Sequence, residues 1–139
     1  MTHTLKHLFT KISQETLKFT PSKFNTTYAL PILRDYSGID WKNHIQYDEN
    51  TYNRVHLYSH PMFDAYLLCW LPKQFTETHN HCMRGCIFKV LEGTLVEERF
   101  YRSTILQEGT ISGISDNRIY HNISNTSIDP AISLHIYGK

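Results

Sequence analysis

Apolar residues near the N-terminus recur at helical spacing: Leu5, Leu8, Phe9 and Ile12 share one face, followed by Glu15, Thr16 and Leu17. Pro21 breaks that pattern. SKFNTTYALP reads as turn, a second short helix is expected over about 29–36, DYSGID as a loop, and WKNHIQYD as a short turn leading out of it. From about Tyr52 the character changes. VHLYS, AYLLCWLP, CIFKVLEG, TLVEERFY, STILQEGT, RIYHNIS and AISLHIY are short segments rich in β-branched and aromatic residues. Glu92-Gly93, Glu108-Gly109, Ser112-Gly113 and Asp116-Asn117 punctuate most of them as turns. Strands at this spacing predict a sandwich or barrel. No repeat, low-complexity stretch or linker interrupts the chain. The expected organisation is one domain over 1–139, with a helical cap (1–45) packed on a β-barrel (46–139).

Composition narrows the class. A chain of 139 residues can bury a core without disulfides. It carries 40% hydrophobic and 19% charged residues, a globular balance. Fourteen Lys+Arg against 13 Asp+Glu create no phosphate-attracting field, so neither nucleic acid nor an anionic membrane surface is expected as a partner. No apolar run approaches the ~18–20 residues of a membrane span. MTHTLKHLF has no apolar stretch of the kind a cleavable leader needs. Cys69, Cys82 and Cys86 cannot all pair within one chain, which favours a reducing, cytoplasmic location. No helix with a spare apolar face is evident, so a monomer is expected. Nine histidines stand out in the composition.

THNHCMRGC is the most informative stretch. On extended backbone, residues i and i+2 point to one face, so His79 and His81 can reach a single ion. Four residues separate His81 from Cys86, and six more separate Cys86 from Gly93. The spacing is similar to the metal motif of the cupins, with Cys86 in the place of the motif's glutamate and Lys73 where its leading glycine would stand. His121 with Asn125 is similar to the second cupin motif, although Asp116 and Arg118 replace its proline and glycine. Three neutral imidazoles on one face of an ion leave the opposite face open, as in non-haem Fe(II) sites. A third neutral ligand in place of a carboxylate keeps the site more positive and favours an anionic ligand such as a thiolate.

From Tyr52 to Tyr137 the chain resembles the thiol dioxygenases, and among them the cysteine dioxygenases. The resemblance rests on Tyr52-Asn-Arg54, Leu68-Cys69-Trp70, His79-Asn-His81, Cys86, Gly93, His121 with Asn125, and the run from Asp129 to Tyr137 holding Ser133 and His135. It implies a mainly β fold, the cupin double-stranded β-helix (jelly-roll) barrel with the helices as an N-terminal cap. It implies one Fe(II) per chain on His79, His81 and His121, with L-cysteine and O2 as small-molecule partners and cysteine sulfinate as product. Arg54 would pair with the substrate carboxylate, with Tyr52 beside it. Ser133, His135 and Tyr137 would form a catalytic relay, and Cys86 would be close enough to Tyr137 for the family's thioether cross-link. The i, i+2, i+4 spacing of the relay puts its members on one strand face.

Other readings stand beside these. The substrate could be another small thiol carboxylate such as 3-mercaptopropionate, although that branch resembles a chain with glutamine in place of Arg54. The chain could also be a non-catalytic metal-binding cupin. Cys82 and Cys86 beside the histidines raise zinc, but a structural zinc site wants a second ligand pair. Cys69 and Trp70 read as core, and His3, His7, His44, His56 and His60 as surface. Arg84 could reach the pocket and alter substrate choice.

Overall fold

The computed structural model describes residues 1–139. Helix α1 (Leu5–Thr16) starts where Thr4 accepts a hydrogen bond from the His7 N–H, and it buries Leu5, Leu8, Phe9 and Ile12. A 3-10 turn at Thr26–Ala29 runs into α2 (Leu30–Asp35), with Pro31 in its first turn. A second 3-10 turn, Asp40–His44, ends the helical region.

Eight strands follow: β1 (Asn53–His60), β2 (Phe63–Trp70), β3 (Cys86–Glu92), β4 (Leu95–Arg99), β5 (Arg102–Leu106), β6 (Ile111–Ile114), β7 (His121–Ser124) and β8 (Ala131–Gly138). They form a five-stranded sheet, β1-β2-β8-β3-β6, and a three-stranded sheet, β5-β4-β7. The expected barrel is thus two facing antiparallel sheets, with no ladder joining their edges. Gly93 turns β3 into β4 at φ +77°, a left-handed conformation that favours glycine. Strand β6 corrects the sequence reading, which took Ser112-Gly113 as a turn. Gly113 pairs with Ile87, and a Cβ there would sit in ordinary contact with Ile87, Leu30 and Thr27, under the helical cap.

Two apolar layers sandwich the larger sheet. Alternate residues Ile132, Leu134 and Ile136 of β8 face the helices, joining Leu67, Cys69 and Ile87 with Leu8, Ile12 and Leu33. The opposite face supplies Leu68, Trp70, Phe88 and Val90, which meet Leu95, Leu106 and Ile123 of the smaller sheet and its loops. Burial on both faces explains why 131–136 is buried without a break. It also means that Ser133, His135 and Tyr137 project into the space between the sheets.

Candidate metal centre

His121 opens β7, and its ring is almost fully buried. His79 lies opposite it in an isolated antiparallel bridge, with both backbone N–H groups donating to the facing carbonyls at 2.9 Å. The His-x-His stretch was expected on an extended strand. It lies instead in the connection between β2 and β3, held to β7 through this bridge and a second one, Phe75 to Ser124. The smaller sheet therefore supplies the register that a continuous strand would have supplied.

The three imidazoles converge. His121 Nε2 lies 3.0 Å from His81 Nε2 and 3.1 Å from His79 Nε2. Their ligand atoms fall within 4.8 Å of one another. About 3 Å is the separation of two imidazole nitrogens each ~2.1 Å from one ion at right angles. The outer nitrogens settle the tautomers. His79 Nδ1 donates to the Glu77 carbonyl at 2.7 Å, and His121 Nδ1 to Glu97 Oε2 at 2.8 Å. Those two Nε2 atoms then face each other as bare lone pairs, an arrangement that a shared cation relieves. Burial, reinforced by the neighbouring imidazoles and Arg54, pushes the His81 pKa down to about 4. Burial lowers His79 as well. Both rings are neutral at pH 7 and can ligate without losing a proton.

Glu97 was missed by the sequence reading. It is buried in β4, bonded to His121, to Arg99 at 3.1 Å and to Ser112 of β6 at 2.8 Å. Burial alone would raise its carboxyl, but the hydrogen bond from His121, the Arg99 charge and Ser112 together hold it below the usual range. The available signal was the two-residue period of LVEER, which puts Glu97 on the same inward face as the buried Leu95.

A cavity of about 750 Å³ opens beside the imidazoles. His79, His81, His121, Tyr52, Arg54, His135 and Tyr137 all line it. The exposed Arg54 side chain makes neither an ion pair nor a hydrogen bond within the chain. Its guanidinium carbon lies 4.4 Å over the Tyr66 ring and 5.2 Å from that of Tyr137. Tyr52 stacks on Trp70 at 4.8 Å. On β8, Ser133 Oγ is 2.7 Å from His135 Nε2, and His135 Nδ1 is 3.2 Å from the Tyr137 hydroxyl. Burial keeps His135 neutral and the Tyr137 hydroxyl protonated. Cys86 and Tyr137 are direct register partners between β3 and β8, so their side chains share one face at neighbour distance.

Not every expected residue is in the cavity. Arg84 points away from it, bonding the carbonyls of Lys139 (2.9 Å), Pro21 and Phe24. Its guanidinium clasps the end of β8 to the loop after α1. Backbone carbonyls there, rather than a ligand, satisfy its fork, and this corrects the pocket role expected of it. Asn125 works from below, donating to the carbonyls of Trp70 and Asp129 and so pinning the β7–β8 connection. Cys69 and Trp70 are buried, as expected, and His60 is half-buried against Phe63.

The imidazole shifts carry a stability prediction. His79, His81 and His135 titrate lower in the fold than the ~6.5 of an unfolded histidine. Below that pH the unfolded chain binds more protons, so stability falls as pH drops from about 6.5 towards 4. Glu97, also held low, adds the same sign near the acid end. Chelator-treated protein should melt at a clearly lower temperature at pH 5 than at pH 7.5. Equal midpoints would show that these rings are solvated.

The two facing sheets with converging imidazoles define a cupin. A Thermus thermophilus protein of solved structure superposes with a TM-score of 0.66 at 20% identity, covering 72% of this chain and 95% of that one. A cupin superfamily protein from Desulfitobacterium hafniense does so with 0.64 at 13%, covering 73% and 90%. Within that fold, the family model for cysteine dioxygenase type I matches residues 23–139, and the chain belongs to this family. Cysteine dioxygenase type 1 of Danio rerio is 28% identical over 114 residues, covering 71% of this chain and 57% of the relative. The Homo sapiens protein is 25% identical over 136 residues, covering 86% and 68%. The chain thus spans between about half and two thirds of the length of these relatives. No helix is long and apolar enough to cross a membrane.

Proposed function

We propose that the protein is a thiol dioxygenase that oxidises the thiol of L-cysteine to the sulfinate with O2. One observation carries the reading: the imidazole trio, a guanidinium without an internal partner and the Ser133–His135–Tyr137 chain all converge on one cavity. Family membership supports the reaction class. His79, His81 and His121 would hold iron(II), which when bound supplies open coordination positions and electrons for O2. Arg54 would receive the substrate carboxylate on its planar fork, and the Tyr66 and Tyr137 rings hold that fork in place. Tyr52, seated on Trp70, would wall the substrate on one side. Tyr137 would present its hydroxyl to the reacting sulfur, and His135 and Ser133 would hold that hydroxyl in position. The free thiols at Cys69, Cys82 and Cys86 accord with a reducing, cytoplasmic compartment.

The test uses anaerobically purified protein, Fe(II), cysteine and an oxygen electrode with sulfinate detection. The expected result is one sulfinate formed per O2 consumed. Faster turnover of 3-mercaptopropionate would move the substrate to that class, and no uptake with either thiol would leave a metal-binding cupin.

The Cys86–Tyr137 register carries a separate expectation. A bond from Sγ to the ring carbon ortho to the phenol oxygen, with both hydrogens passing to the oxidant, should form during turnover. Intact mass should fall by two hydrogens after reaction with cysteine and iron, and the lighter species should be absent in Cys86→Ala. Full reduced mass after extensive turnover would leave Cys86 as a packing residue.

A further inference from the structure

Arg54 stands on β1, the edge strand of the larger sheet, and its side chain is exposed. A long cation on a sheet edge ordinarily extends into water and keeps its rotamer freedom. This one turns inwards: its guanidinium carbon lies 4.4 Å over the ring of Tyr66, on the neighbouring strand β2. The register explains the reach. Arg54 faces Leu68 and His56 faces Tyr66, so Tyr66 is the diagonal neighbour of Arg54. His56 and Tyr137 meet the same ring edge-on at 5.0 and 5.7 Å, and these contacts hold the half-buried Tyr66 in place. Tyr66 makes all of them with its ring, not its hydroxyl.

We propose that Tyr66 is a positioning residue for Arg54 and, through it, sets the preference for thiols that carry a carboxylate. The kind of contact matters. An ion pair or a hydrogen bond would fix the guanidinium by occupying some of its N–H groups, leaving fewer for a ligand. A ring contact consumes none of them, so the whole fork stays free for a planar carboxylate. The cost of ordering a flexible side chain is then met before the substrate arrives. Tyr137 is the second ring near the guanidinium and the more distant one, at 5.2 Å. Arg54 lines the cavity and Tyr66 stands behind it, so Tyr66 acts through Arg54 rather than by touching the ligand. The inference deepens the dioxygenase reading and rests on it for the identity of the ligand.

Calorimetry of L-cysteine and cysteamine binding to the Fe(II)-loaded protein without O2 tests the proposal, with steady-state kinetics beside it. Tyr66→Leu should weaken cysteine binding about fivefold and raise its KM to match, the loss of one cation–ring contact. The kcat for cysteine should move far less. Cysteamine, which has no carboxylate, should bind and turn over as before. Tyr66→Phe keeps the ring and should recover the affinity for cysteine. In an Arg54→Gln background, Tyr66→Leu should cost nothing further. Unchanged cysteine affinity in Tyr66→Leu overturns the proposal, and Tyr66→Met gives the same reading if the leucine variant does not fold. An equal loss on cysteamine also overturns it, by showing that the ring acts through Tyr137. So does a failure of Tyr66→Phe to recover affinity, which would move the role to the hydroxyl. Equal affinity of the unsubstituted protein for the two thiols would remove the carboxylate role of Arg54 itself, whereas a cysteine preference that survives Tyr66→Leu would remove only Tyr66.

Discussion

Replacing His121 by alanine should nearly abolish iron binding and, with it, turnover. The expected loss is larger than at any other position, because His121 stands in two networks. Its Nε2 lies 3.0 and 3.1 Å from the other two imidazole nitrogens. Its Nδ1 also satisfies the buried Glu97 carboxylate. The substitution removes one of the three imidazoles proposed to hold the metal and leaves a buried acceptor with one partner fewer, an added cost of about 1–3 kcal/mol in stability. Glu97→Gln separates the two effects. It keeps the imidazole and weakens its outer partner, so affinity should fall roughly 10–100-fold while the fold persists. Metal analysis after dialysis with Fe(II), together with thermal melting of the metal-free proteins, reads both. Full iron in His121→Ala would remove this residue from the metal site. Full affinity in Glu97→Gln would leave the carboxylate as a packing element of β4.

Arg54→Gln should cut kcat/KM for cysteine steeply and spare cysteamine, which has no carboxylate. The guanidinium rests on the Tyr66 and Tyr137 rings without an internal ion pair, so the charge is available to a ligand. Removing it leaves the substrate carboxylate without its cationic partner, and because Arg54 is exposed in the free protein the loss falls at the lower end of the range for charge pairs, about 2 kcal/mol. That corresponds to roughly 30-fold in kcat/KM. Steady-state kinetics with both thiols decide the matter. Equal losses would show that Arg54 acts by packing on the two tyrosines. Arg84 is a poor alternative anchor, because backbone carbonyls already occupy its nitrogens.

Periodicity alone determined much of the fold. The stripe Leu5, Leu8, Phe9 and Ile12 marks α1 because a surface helix must bury one face. Seven of the eight strands were legible as β-rich segments between turn residues. Strand β6 was not, since Ser112-Gly113 carries a turn's composition. Only the pairing with Ile87 of β3 shows that the segment is a strand. The cavity-lining histidines were legible through spacing, because period two forces residues i and i+2 to one side. Period two by itself paired His79 with His81 and aligned Ser133, His135 and Tyr137; His121 joined the first set, and the second set gained its role, only through the resemblance to the thiol dioxygenases. Tertiary structure decided what lies behind them. Glu97 reaches His121 across a strand pair, Trp70 reaches Ser133 from β2, and Arg84 turns away to the carbonyls of Lys139, Pro21 and Phe24. Hydrogen bonds between residues 24 to 63 positions apart leave no local periodicity to read. They exist only once the two sheets face each other and bury the groups that must pair.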